Sequence, residues 1–147
     1  MRAKACLLAL LLAATAISAG CAEYKYYDIS VRFNTAPPMN FAGSSDVSTV
    51  QNCVVEVSGA DTAEYTFGDN QNCPPFSAGG SPLTDMGTFE YSSTADSGEL
   101  TFTFRAYVGP ALQECLVGQG STTIAVGPTT ATGMILVNRT STITSCQ

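Results

Sequence analysis

LTFTFRAYV, residues 100–108, is the most regular stretch of the chain. Leu100, Phe102, Phe104, Ala106 and Val108 occupy one set of alternate positions, and Thr101, Thr103, Arg105 and Tyr107 the other. A repeat of two is the side-chain period of a β-strand, whose successive residues point to opposite faces. One face here is apolar and aromatic and the other polar, so the stretch predicts a strand with a core on one side. Burying one large apolar side chain is worth about 1.5–3 kcal/mol. Four large residues on one face make this strand the expected centre of the core. Gly109-Pro110 ends it, because proline lacks the N–H that a ladder needs.

The same alternation recurs outward from there. In residues 24–33, Tyr27, Ile29, Val31 and Phe33 share one face, and Asp28, Ser30 and Arg32 the other. Residues 47–57 place Cys53, Val55 and Val57 together, with Val54 facing away. Residues 63–67 present Tyr65 and Phe67, and residues 88–93 present Phe89 and Tyr91. The five residues 94–98, ending in Gly98, have turn chemistry and predict a hairpin between residues 88–93 and 100–108. Further on, residues 112–117 read as a short strand or a helical turn. Residues 122–126 and 134–137 read as strands, and the Thr/Ser-rich residues 140–146 continue to the end. Residues 34–46, with Pro37-Pro38, and residues 68–87, with Pro74-Pro75, Gly79-Gly80 and Pro82, predict loops. The longer loop is expected to be a surface loop tied down by Cys73 rather than a binding loop.

About eight short strands at these spacings predict an all-β domain, an antiparallel β-sandwich of immunoglobulin-like kind, with a small barrel as the alternative. The strict antibody pattern is missing. The chain has no tryptophan, and Gln113 stands where a tyrosine would precede Cys115 by two residues.

The first twenty residues have a different character. Arg2 and Lys4 give a basic start, and residues 5–17 form an apolar run with Thr15 as its mild polar break. Spanning a bilayer takes about 20 apolar residues, so this run is too short to cross unaided. Its layout is that of a secretory signal. Ser18-Ala19-Gly20-Cys21 follows. These four residues resemble the lipid-attachment box of bacterial lipoproteins, with Ser18 where leucine is usual. The resemblance covers residues 1–21 only. It implies a signal peptide of residues 1–20, cleavage before Cys21, and acyl chains such as palmitate on that cysteine. It also implies an outer-membrane or cell-surface position, because Ala22 is not acidic. An ordinary signal cut after Gly20 or Ala22 is the alternative.

Residues 21–147 then form one domain, of a size that buries about two-thirds of its unfolded surface. The chain carries 6 basic and 12 acidic residues, a net charge of −6. Arg2 and Lys4 leave with the signal, so the mature domain is more acidic still. Such a surface repels nucleic acid and anionic headgroups. Thr, Ser, Gly, Val and Tyr dominate over charged residues, the balance of strands and polar turns.

Cys53, Cys73, Cys115 and Cys146 remain once Cys6 is discarded and Cys21 is acylated. An even number in an exported chain predicts two disulfides with three possible pairings. Sequence proximity favours Cys53–Cys73 with Cys115–Cys146. Each loop closed in this way would contribute about 3 kcal/mol by restraining the unfolded chain.

Chemistry is scarce. The chain has no histidine, and a serine or cysteine nucleophile needs a base within hydrogen-bond reach. Lys25, the one mature lysine, is expected on the solvent face of the first strand. No catalytic residue, cofactor or metal is therefore assigned, and the chain is not read as an enzyme. Carboxylates recur in turns: Asp61 with Glu64, Asp69 near Asn70 and Asn72, Asp96 with Glu99. Their spacing fits no calcium loop, since Gln71 and Cys73 fall where oxygen ligands would be needed. Asn138-Arg139-Thr140 matches a glycosylation triplet, relevant only in a eukaryotic secretory route. Tyr24, Tyr26 and Tyr107 fall on outward registers and form a possible binding face. The expected function is a non-catalytic, lipid-anchored envelope protein with a structural or protein-interaction role. The alternative is an extracellular module that binds glycan or calcium.

Overall fold

The computed structural model describes residues 23–35, 41, 50–67, 85–108, 115–127 and 130–140. Within them are seven strands and no helix: β1 Lys25–Phe33, β2 Asn52–Gly59, β3 Ala63–Phe67, β4 Asp85–Ser93, β5 Glu99–Val108, β6 Cys115–Ala125 and β7 Ala131–Arg139. They form one sheet in the order β3-β2-β5-β6-β7-β1-β4. Every pairing is antiparallel except β1 with β7, which run parallel from Tyr27↔Ala131 to Phe33↔Val137. The sheet is thus mixed, not purely antiparallel.

The sheet curls into a half-barrel. β1 and β5 are three places apart in strand order, which in a flat sheet is about 14 Å. Yet the ring centroids of Tyr27 and Phe102 lie 6.1 Å apart, and those of Phe33 and Phe104 lie 6.0 Å apart. The two outermost strands also meet through side chains: Tyr65 of β3 stands edge-on to Phe89 of β4 at 5.2 Å. β7 carries the bend. Its residues 131–137 pair with β1, and Asn138 and Arg139 pair with Gln119 and Gly118 of β6.

The alternation selects the buried face as expected. Tyr27, Ile29, Val31 and Phe33 are buried from β1, Cys53, Val55 and Val57 from β2, and Leu100, Phe102, Phe104 and Ala106 from β5. β5 lies between β2 and β6, at the centre of its half of the sheet. β3 has the expected bounds, and its Tyr65 and Phe67 turn toward β4. Tyr27 is fully buried, and its hydroxyl has no hydrogen-bond partner among the described residues. An unmade bond of that kind costs about 1–3 kcal/mol.

Three expectations are corrected. First, β4 and β5 are not a hairpin. β4 pairs with β1, whereas β5 pairs with β2 and β6. Residues 94–98 carry the chain across from one half of the sheet to the other, and Gly98 takes its positive φ of 105° within that crossing. Second, residues 112–117 and 122–126 are not separate elements. β6 runs unbroken through Gly118-Gln119-Gly120. Its glycines do not end the strand; they permit close packing. A Cβ on Gly118 would lie 2.6 Å from the Phe41 ring, and one on Gly120 would lie near the Leu136 carbonyl oxygen. This merger leaves seven described strands where about eight were expected. Third, Lys25 is not on the solvent face. It shares the register of Tyr27, and its side chain is 11% exposed.

The leader, Cys21, the proline-containing parts of both long loops, Cys73, Asp69 with Asn70 and Asn72, and Cys146 lie outside the described residues.

Candidate functional site

The outer face of the β1–β4 pair carries the features most suited to recognition. Tyr26↔Ser92, Asp28↔Glu90 and Ser30↔Thr88 are directly opposed pairs on that face. Tyr26, Asp28, Glu90, Tyr91 and Ser92 line a shallow cleft of about 230 Å³. Tyr24 and Tyr26 are 60% and 56% exposed. Asp28 and Glu90 are like charges set directly across the ladder, an arrangement that disfavours pairing.

Tyr107 is elsewhere. β1 begins beside Ser93 and near Ala131, at the end of the sheet where β5 starts against Ala125. Tyr107 lies at the other end of β5, opposite Asn52 and Leu116. Eight residues of strand separate the two ends, about 27 Å. Tyr24 and Tyr26 are together, and Tyr107 does not join them.

The strongest polar constellation of the described residues is one that sequence reasoning did not assemble. In the β2–β3 turn, one Asp61 oxygen accepts hydrogen bonds from the Tyr91 hydroxyl and the Ser93 hydroxyl, each at 2.8 Å. Its other oxygen accepts from the Thr62 N–H. These donors hold the Asp61 carboxyl below its ordinary 3.8, with Ser93 the largest contributor, then Tyr91 and Thr62. Burial, and then the neighbouring Asp61 carboxylate, raise the Tyr91 hydroxyl above its ordinary value. Beside this latch, the Lys25 ammonium donates to the Ala95 carbonyl at 2.6 Å and approaches Asp96 at 3.5 Å. The two contacts fix the strand crossing that replaces the expected hairpin. The sequence signal was weak, an aspartate in a turn, and its partners are 30 and 32 residues away.

The latch therefore reads as structural, and its pH dependence follows from its sign. A carboxyl held low in the folded state stabilises the protein fully above its unfolded value, and that contribution is lost as pH falls through the folded value. Asp61→Ala should cost on the order of 1–2 kcal/mol at pH 7, because two hydroxyls lose their acceptor at a partly exposed site. The difference from the unaltered protein should shrink below about pH 4. Urea midpoints across pH 3–7 measure it; a gap that does not change with pH would exclude the ionised latch.

The other carboxylates are dispersed. Glu56 pairs with Arg105 at 2.6 Å, Asp85 with Arg32 at 3.2 Å, and Glu64 and Glu99 are exposed. Among the described residues, no three His, Cys, Asp or Glu side chains gather as a metal site. No helix among them is long and apolar enough to cross a membrane. Cys53 is buried, and neither it nor Cys115 is a free thiol.

No protein-family model, curated protein or solved structure matches the chain.

Proposed function

We propose that this chain is an exported lipoprotein of the cell envelope. Its β domain, held at the membrane through Cys21, would have a structural or protein-interaction role without catalysis. The observation that carries the reading is the order of the first twenty-five residues: basic start, short apolar run, Ser18-Ala19-Gly20-Cys21, and a strand that begins at Lys25. The reading places the protein at the outer membrane or cell surface, with the bilayer and an unidentified protein as partners.

The cysteine pattern supports it. Cys53 and Cys115 lie on β2 and β6, which flank β5 on opposite sides. Two strand spacings come to about 9.6 Å, beyond the usual Cα separation of a disulfide. Their partners in the proposal are Cys73 and Cys146. Cys53 is in register with Phe67, six residues before Cys73. Thr140 hydrogen-bonds to the carbonyls of Val117 and Leu116, which starts the chain toward Cys115. Both relations favour Cys53–Cys73 and Cys115–Cys146. An immunoglobulin-like sandwich is likewise the finer reading of the curled sheet, supported by the contacts of β1 with β5 and of β3 with β4.

Intact mass of the mature protein from its native host tests the proposal. The expected species starts at Cys21, carries acyl chains and has its four other cysteines oxidised. A free, unmodified Cys21 thiol overturns it.

A further inference from the structure

We infer that Tyr24 and Tyr26 rest in the headgroup layer of a zwitterionic bilayer, so that the start of β1 faces the membrane and the Tyr107 end faces away from it. The inference deepens the lipoprotein reading and depends on acylation of Cys21.

Chain length sets the first constraint. Cys21 and Lys25 are joined by four peptide units, which span at most about 14 Å when extended. Tyr24 is closer still, within about 11 Å of the acylated residue. The interfacial layer beyond the hydrocarbon is itself about 5–8 Å deep on each side. There is no stalk to lift this end of the domain out of that layer.

Rigidity sets the second. The slack ends at Lys25, which is in register with Ser93 and held by the Ala95 carbonyl. Tyr26, the ring that follows, is therefore placed by the sheet, and Tyr24 lies one residue before that anchored position. Lys25 points inward, so its neighbours Tyr24 and Tyr26 both point outward, and both are more than half exposed. Two exposed amphipathic rings on one outward face, with apolar bodies and polar tips, match the chemistry of the membrane–water interface, where tyrosine concentrates.

Charge chooses the lipid. Glu23 and Glu99 are exposed at this end, and the Asp96 side chain is fully exposed. Lys25 is already engaged. Anionic headgroups would be repelled, which leaves a zwitterionic surface.

The absence of tryptophan from the chain makes the test direct. Full-length Tyr26→Trp and Tyr107→Trp variants, processed in the host, are reconstituted into phosphatidylcholine–phosphatidylethanolamine vesicles with bromines high on the acyl chains. The Tyr26→Trp emission should shift to the blue and be quenched, and the Tyr107→Trp emission should do neither. Acylated protein in which neither variant is quenched overturns the orientation while leaving the anchor intact, and equal quenching of both overturns it as well. Protein without acyl chains and with emission unchanged by vesicles overturns both readings. A Tyr26→Trp response to a soluble polysaccharide but not to vesicles assigns the rings to glycan and rejects the membrane contact.

Discussion

Phe104→Ala should lower the free energy of unfolding by about 3–5 kcal/mol, as expected when a fully enclosed aromatic ring is removed. Phe104 has no exposed surface. It lies between Val55 of β2 and Gly120 of β6 in register, and Phe33 of β1 meets its ring edge-on. The ring therefore touches both halves of the curled sheet. Its loss empties the space between β1 and β5, and a glycine neighbour cannot fill that space. Phe104→Asp should be worse, since it adds a buried charge with no partner to the same cavity. Domains are stable by only about 5–15 kcal/mol, so the Asp variant should not fold. Urea unfolding of Phe104→Ala against Thr103→Ala, one residue along and facing the other way, isolates the effect. Thr103→Ala should stay within about 1 kcal/mol of the unaltered protein. If Phe104→Ala does the same, β5 is not the centre of the core.

What the sequence reveals about this fold is orientation. Alternation in β1, β2 and β5 identifies the buried residues, and a shift of one position would expose the whole apolar set. Alternation does not name a strand's neighbour. The turn chemistry of residues 94–98 suits a hairpin as well as a crossing. The outcome is decided at a distance, by Asp61 accepting from Tyr91 and Ser93 and by Lys25 binding Ala95. The parallel pairing of the first and last described strands is equally non-local. At the candidate site, the outward registers of Tyr24 and Tyr26 are visible from period two alone. Their separation from Tyr107, and the facing of Asp28 by Glu90, depend on which strands pair. The sequence without partners therefore suggests one aromatic face where the folded sheet has two distant ends.

Gly120 shows how far a local reading of glycine can mislead, and it sets the second large effect. Read alone, Gly118-Gln119-Gly120 interrupts a strand; in the sheet the three residues lie where β7 turns from β1 to β6. A Cβ at 120 would approach the Leu136 carbonyl oxygen and stand 2.8 Å from both Ile135 Cγ2 and the Leu136 carbonyl carbon. Backbone cannot swing aside as a side chain can, so β6 and β7 would have to part. They are joined in register at only two residue pairs, so little ladder resists their separation. Gly120→Ala should cost about 3 kcal/mol, the upper end for overpacking. At Gly118 the obstacle is the Phe41 ring, which can shift, and the cost should be about 1–2 kcal/mol. At Gly127 no atom lies within 4 Å of a new Cβ. Gly127→Ala should be neutral, or more stable by up to about 1 kcal/mol through a less flexible unfolded chain. Melting temperatures of the three variants should fall in that order, with Gly120→Ala lowest. If Gly120→Ala melts with Gly127→Ala, the two strands are not in close contact, and the bend that brings β1 over β5 must lie elsewhere in the sheet.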